Sequence, residues 1–68
     1  MNDREFLRRV RRYAKEAGLT VRFLPAKGKG SHGVVWVGLY DTTLKRGELG
    51  PGLLRKMLHQ LRIRKEDF

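Results

Sequence analysis

Two amphipathic helical stripes bracket a middle stretch of period-two alternation, and this order limits the available folds more than any other feature. Phe6, Leu7, Val10, Tyr13, Ala14 and Ala17 recur along one helical face, while Arg8, Arg9, Arg11, Arg12, Lys15 and Glu16 fill the rest of each turn. Asn2 followed by Glu5 forms a capping-box start, and Gly18 offers the left-handed stop. In residues 19–24, Leu19, Val21 and Phe23 alternate with mostly polar neighbours until Pro25 ends a first strand. Residues 25–31 form a basic, glycine-containing loop that delivers His32 to the start of a second strand built on Val34, Val35, Trp36 and Val37. A hairpin turn is expected at residues 38–41, and a short third strand at 42–46 before the break at Gly47. Gly50-Pro51-Gly52 then introduces Leu53, Leu54, Met57, Leu58 and Leu61, a second helical stripe running to about Arg62. Residues 65–68 read as a frayed end.

The predicted class is therefore α+β in the order α-β-β-β-α, with the two helices on one face of a three-stranded antiparallel sheet. At 68 residues the chain has room for one core, because a chain of this size buries only about 60% of its unfolded surface. We treat residues 1–68 as a single domain. Lys and Arg outnumber Asp and Glu by 16 to 7, a net +9, while an apolar content of 40% is too high for a disordered basic tail. The strong positive field points to a polyanionic partner. There is no cysteine, which excludes a disulfide framework and a thiolate metal site. The longest uncharged apolar run, residues 33–40, is far short of the roughly 20 residues of a membrane span. The N-terminal residues enter a charged amphipathic pattern at once, so we expect a cytoplasmic protein with no membrane partner and no cofactor.

Lys29-Gly30-Ser31-His32-Gly33, a following hairpin, and then Gly50-Pro51-Gly52-Leu53-Leu54-Arg55-Lys56-Met57-Leu58 resemble the HicA family of toxins from toxin-antitoxin modules. The resemblance covers nearly the whole chain. It implies a double-stranded-RNA-binding-like fold, cleavage of messenger RNA by a histidine matched here by His32, and silencing by a HicB-type antitoxin. This chain departs from the family in a longer connection, with residues 25–28 inserted, and in Gly50, which stands where a lysine is common. Lys45 or Arg46 would then substitute for the phosphate contact that lysine makes.

His32 is the candidate catalytic residue, because imidazole can accept or give a proton near neutral pH. Attack by the ribose 2′-hydroxyl on its own phosphate needs both transfers. It requires no metal, since the nucleophile lies within the substrate. The plainer reading of His32 is a strand-capping histidine. Lys27, Lys29, Gly30 and Ser31 could bring charges and backbone N–H groups to a phosphate, or simply form a solvated basic loop. Arg55 and Lys56 are further RNA-contact candidates, because the resemblance implies that the start of the second helix lies near His32. His59 falls nearly opposite the apolar stripe at about 100° per residue and is read as a surface residue. Strand alternation places His32, Val34 and Trp36 on one face. Trp36 is then either part of an exposed apolar patch, with Val34, for a base or an antitoxin, or part of the core. The alternative to an enzyme is a non-catalytic RNA-binding module of the same fold.

Overall fold

The computed structural model describes residues 1–26 and 32–68. Helix α1 spans Asp3–Ala17, strands β1, β2 and β3 span Val21–Leu24, His32–Val37 and Tyr40–Lys45, and helix α2 spans Pro51–Leu61. The sheet has three strands in the order β1-β2-β3, and both pairings are antiparallel. This is the α-β-β-β-α arrangement expected from the alternation.

Helix α1 begins as its sequence predicts. The Asn2 side chain accepts a hydrogen bond from the Glu5 backbone N–H at 2.9 Å, satisfying a donor that the first turn would otherwise leave unpaired. It closes at Gly18, in the left-handed conformation, with the Leu19 N–H reaching back to the Ala14 carbonyl at 2.8 Å. The same type of closure ends α2, where the Ile63 N–H donates to the Leu58 carbonyl at 2.9 Å. There the left-handed residue is Arg62, with φ 61°, and its guanidinium lies 5.1 Å from the centre of the Tyr40 ring. A cation–π contact of this kind contributes roughly 0.5–1 kcal/mol at an exposed site, which offsets part of the backbone cost.

Phe6, Val10 and Ala14 of α1 meet Val35, Val37 and Leu44 of the sheet and Met57, Leu58 and Leu61 of α2 in one buried cluster. Both apolar stripes therefore face the same side of the sheet. Leu49 and Ile63, outside the helices, complete the core. Buried Thr42 keeps its hydroxyl satisfied by donating to the Gln60 side-chain oxygen.

Two features differ from the sequence expectation. The hairpin turn is shorter: Val37 pairs with Tyr40, leaving only Gly38 and Leu39 as loop residues. Gly38 has φ 61° and Leu39 is not left-handed, the pattern of a type II′ turn, which matches the strand twist and lets Tyr40 and Asp41 join β3. The second difference is at residues 65–68, which are held, not frayed. Lys65–Asp67 form a 3-10 turn, and Phe68 is buried with its ring centre 5.3 Å from that of Phe6. The Arg9 guanidinium covers the Phe68 ring at 4.7 Å and donates to its carbonyl oxygen at 2.9 Å, joined by Arg12 at 3.3 Å. Beside this turn Arg64 bonds Asp67, whose hydrogen bond and charge, with the charge of Glu66, raise the pKa of the exposed guanidinium.

The start of α1 is tied to the β3–α2 connection. The Leu49 N–H donates to the Met1 carbonyl at 2.7 Å, the Asp3 N–H to the Gly47 carbonyl at 3.0 Å, and the Gly47 N–H to the Asp3 carboxylate at 3.0 Å. No helix among the described residues is long and apolar enough to cross a membrane.

Because Phe68 is a core residue, Phe68→Ala is expected to lower the unfolding free energy by about 3 kcal/mol. Leu39→Ala, at a side chain 93% exposed, should stay within about 0.5 kcal/mol of the parent. Urea titration followed by circular dichroism measures both, and equal effects would show that the Phe68 ring is not packed in solution.

Candidate nucleic-acid interface

Register decides what the open side of the sheet displays. The tight β2–β3 turn fixes the pairs His32 with Lys45, Val34 with Thr43, and Trp36 with Asp41, while β1 adds Leu24 opposite Val34 and Arg22 opposite Trp36. With alternation of period two, these eight residues share the face away from the helices. Val35, Val37, Thr42 and Leu44 occupy the other face and are buried. The exposed face therefore carries three cross-strand rows: Arg22, Trp36 and Asp41; Leu24, Val34 and Thr43; His32 and Lys45.

His32 is the first residue of β2 and is exposed. Directly opposite partners in an antiparallel pair have Cβ atoms about 4.5–5.5 Å apart, so the Lys45 side chain leaves the sheet beside that of His32. Gly33 follows His32 because no larger residue fits. A Cβ built there would lie 2.5 Å from the Leu24 carbonyl oxygen and 3.2 Å from the Ala26 nitrogen. The chain leaving β1 crosses directly over this glycine. The Arg46 guanidinium fastens the same crossing by donating to the Ala26 carbonyl at 3.4 Å.

Trp36 lies on the open face with His32 and is half-buried, so the alternative in which it joins the core does not hold. Val34 is half-buried beside it, and Leu24, 45% exposed, extends the apolar patch across to β1. The Arg22 guanidinium carbon lies 5.0 Å from the centre of the Trp36 ring. Sequence reasoning did not single out Arg22 or Asp41. The signal for Arg22 was present, since alternation sets Arg22 on the opposite face from Val21, which packs against the core, but its pairing with Trp36 needs the register.

The remaining candidates divide. Lys27, Lys29, Gly30 and Ser31 lie outside the described residues. Lys45 and Arg46 sit at the His32 end of β3. Lys56 and exposed His59 line a cleft of about 580 Å³ between β3 and α2, with Tyr40, Thr43, Gln60 and Arg62. Arg55 projects elsewhere, into hollows bordered by Leu58, Ile63, Arg64 and Lys65 and by no strand residue. The start of α2 thus presents Lys56 toward β3 and Arg55 toward the end of the chain. Among the described residues no group of three or more metal-ligating His, Asp or Glu side chains comes together.

Compared with known proteins, the chain matches no family model, no curated protein and no solved structure.

Trp36 is the only tryptophan, so its emission reports on this face alone. Arg22→Ala is expected to increase quenching by acrylamide, because the guanidinium shields one side of the indole. An unchanged quenching constant would show that the pair does not persist in solution.

Proposed function

We propose that this chain is a small metal-independent endoribonuclease of the HicA toxin type, acting on messenger RNA in the cytoplasm and silenced by a HicB-type antitoxin. One observation carries the reading: an exposed histidine opens the central strand, directly opposite a lysine, on the sheet face that neither helix covers. The net charge of +9 supports a polyanionic substrate.

In this reading RNA lies on the open face with its scissile phosphate beside His32 and Lys45. His32 takes the proton from the ribose 2′-hydroxyl as the 2′-oxygen attacks phosphorus. The bond from phosphorus to the 5′-oxygen breaks, and that oxygen receives a proton from the imidazolium, leaving a 2′,3′-cyclic phosphate and a 5′-hydroxyl. The Lys45 ammonium offsets the charge that builds on the phosphoryl oxygens, and Arg46 adds to the local field. A HicB-type antitoxin covering His32, Val34 and Trp36 would block both the chemistry and the approach of RNA. An acidic partner surface fits the charge of this side of the molecule.

Cleavage of a long single-stranded RNA in EDTA is expected for the parent protein and lost in His32→Ala, with RNA affinity retained and folding matched by circular dichroism. Binding without cleavage by both proteins would reduce the function to a non-catalytic RNA-binding module. Lys45→Ala is expected to lower the rate and to reduce the slope of log K against log salt by about 0.7, the contribution of one phosphate contact to a single strand. An unchanged slope would remove Lys45 from the interface.

A further inference from the structure

The reading above uses one end of the open face. The row at its other end, Arg22, Trp36 and Asp41, has no part in the proton transfers, yet it combines three groups suited to a nucleobase. Trp36 offers an indole plane, and Arg22 lays a second flat, cationic plane over it at 5.0 Å. Guanidinium planes and indoles are both surfaces on which unpaired bases stack. Asp41, directly across from Trp36 on β3, is the one carboxylate among the eight outward-facing paired strand residues. A carboxylate repels phosphate, so this end of the face is not built for the sugar-phosphate backbone alone. It accepts hydrogen bonds, and a base edge that donates them would satisfy it.

We propose that Arg22, Trp36 and Asp41 form a base-binding subsite for an unpaired nucleotide of single-stranded RNA, with a preference for guanine. The base stacks on the guanidinium–indole platform, and its Watson–Crick edge meets the Asp41 carboxylate. Guanine presents two adjacent donors there, N1–H and the 2-amino group, which match the two carboxylate oxygens. Uracil presents a single N–H between two carbonyl acceptors and leaves one carboxylate oxygen facing an acceptor. Trp36 lies four steps along β2 from His32, about 13 Å at the rise of an extended strand. The subsite therefore holds a base a short distance along the strand from the cleaved phosphate, with Leu24 and Val34 forming the apolar floor between. Duplex RNA does not fit this mode, because its bases are stacked on one another and unavailable to the indole.

This inference rests on the RNA reading above, and its test is independent of cleavage. Short 2′-O-methyl oligonucleotides lack the nucleophile and cannot be cut, so they report binding alone. A uracil run containing a single guanine is expected to quench Trp36 emission and to bind more tightly than the all-uracil run, and an abasic strand with the same number of phosphates should leave the emission unchanged. Measured by anisotropy of a labelled oligonucleotide, Trp36→Ala should weaken binding about tenfold or more, Trp36→Phe less, and Asp41→Asn should abolish the preference for guanine. Equal quenching by the abasic strand, tighter binding of duplex RNA, or a guanine preference that survives Asp41→Asn overturns the subsite. If base-dependent quenching holds while no RNA is cut, the enzyme reading alone fails; if RNA is cut without base-dependent quenching, the subsite alone fails.

Discussion

The pairing of β2 with β3 through the two-residue turn at Gly38 and Leu39 is the constraint on which the rest depends. A shift of one residue would move every side chain of a strand to the opposite face. Val35 and Val37 would leave the core and Trp36 would enter it. His32 would lie beneath the helices, where an imidazole could not meet a substrate. Apolar burial and display of the polar row are thus one decision, made by a glycine that accepts φ 61° where a side chain would be strained. Gly33 contributes in a different way. Its missing side chain makes room for the Leu24 carbonyl, which brings the chain leaving β1 close to the first turn of β2 and next to His32.

A domain this small has limited apolar area, and the chain supplements it by fixing both ends. The Met1 carbonyl receives the Leu49 N–H, and Asp3 exchanges two bonds with Gly47. At the other end Phe68 fills the space beside Phe6, under Arg9. These contacts link segments that are far apart in sequence through α1, which becomes the common support for both ends. Two of the arginines that read as a basic helix surface, Arg9 and Arg12, therefore have structural partners in the Phe68 carbonyl.

What the sequence disclosed follows from the range of the forces involved. The helices and their caps were legible because Asn2, Glu5 and Gly18 act within a few residues of themselves, and an apolar stripe repeats every turn. The common face of His32, Val34 and Trp36 was legible from alternation, the most local property of a strand. The hairpin reads longer in the sequence because two turn formers, Gly38 and Asp41, bound the segment, and only cross-strand pairing shows that Tyr40 and Asp41 belong to β3. Burial of Phe68 carried no periodic signal, since its contacts are made with α1 at the opposite end of the chain. Arg22 over Trp36 and Lys45 opposite His32 depend on which strands meet and in which register, and neither is encoded in any one segment.

The charge distribution has a further consequence for how a polyanion would engage this protein. Arg8, Arg11 and Lys15 project from α1, on the layer beyond the sheet face that carries His32 and Trp36. Screening reduces the field of exposed charges over about 8 Å at physiological ionic strength, less than the depth of a helix layer with its side chains, roughly 10–12 Å. These charges cannot contribute much contact energy to a strand lying on the open face. At larger distance and lower salt they raise the rate of encounter with any polyanion without choosing its orientation. Orientation comes instead from the uneven charge along the face itself, with Lys45 and Arg46 at the His32 end and Arg22 offset by Asp41 at the Trp36 end. A phosphate backbone is drawn toward the first more strongly than toward the second, so the register that builds the core also grades the charge of the surface along the strand direction.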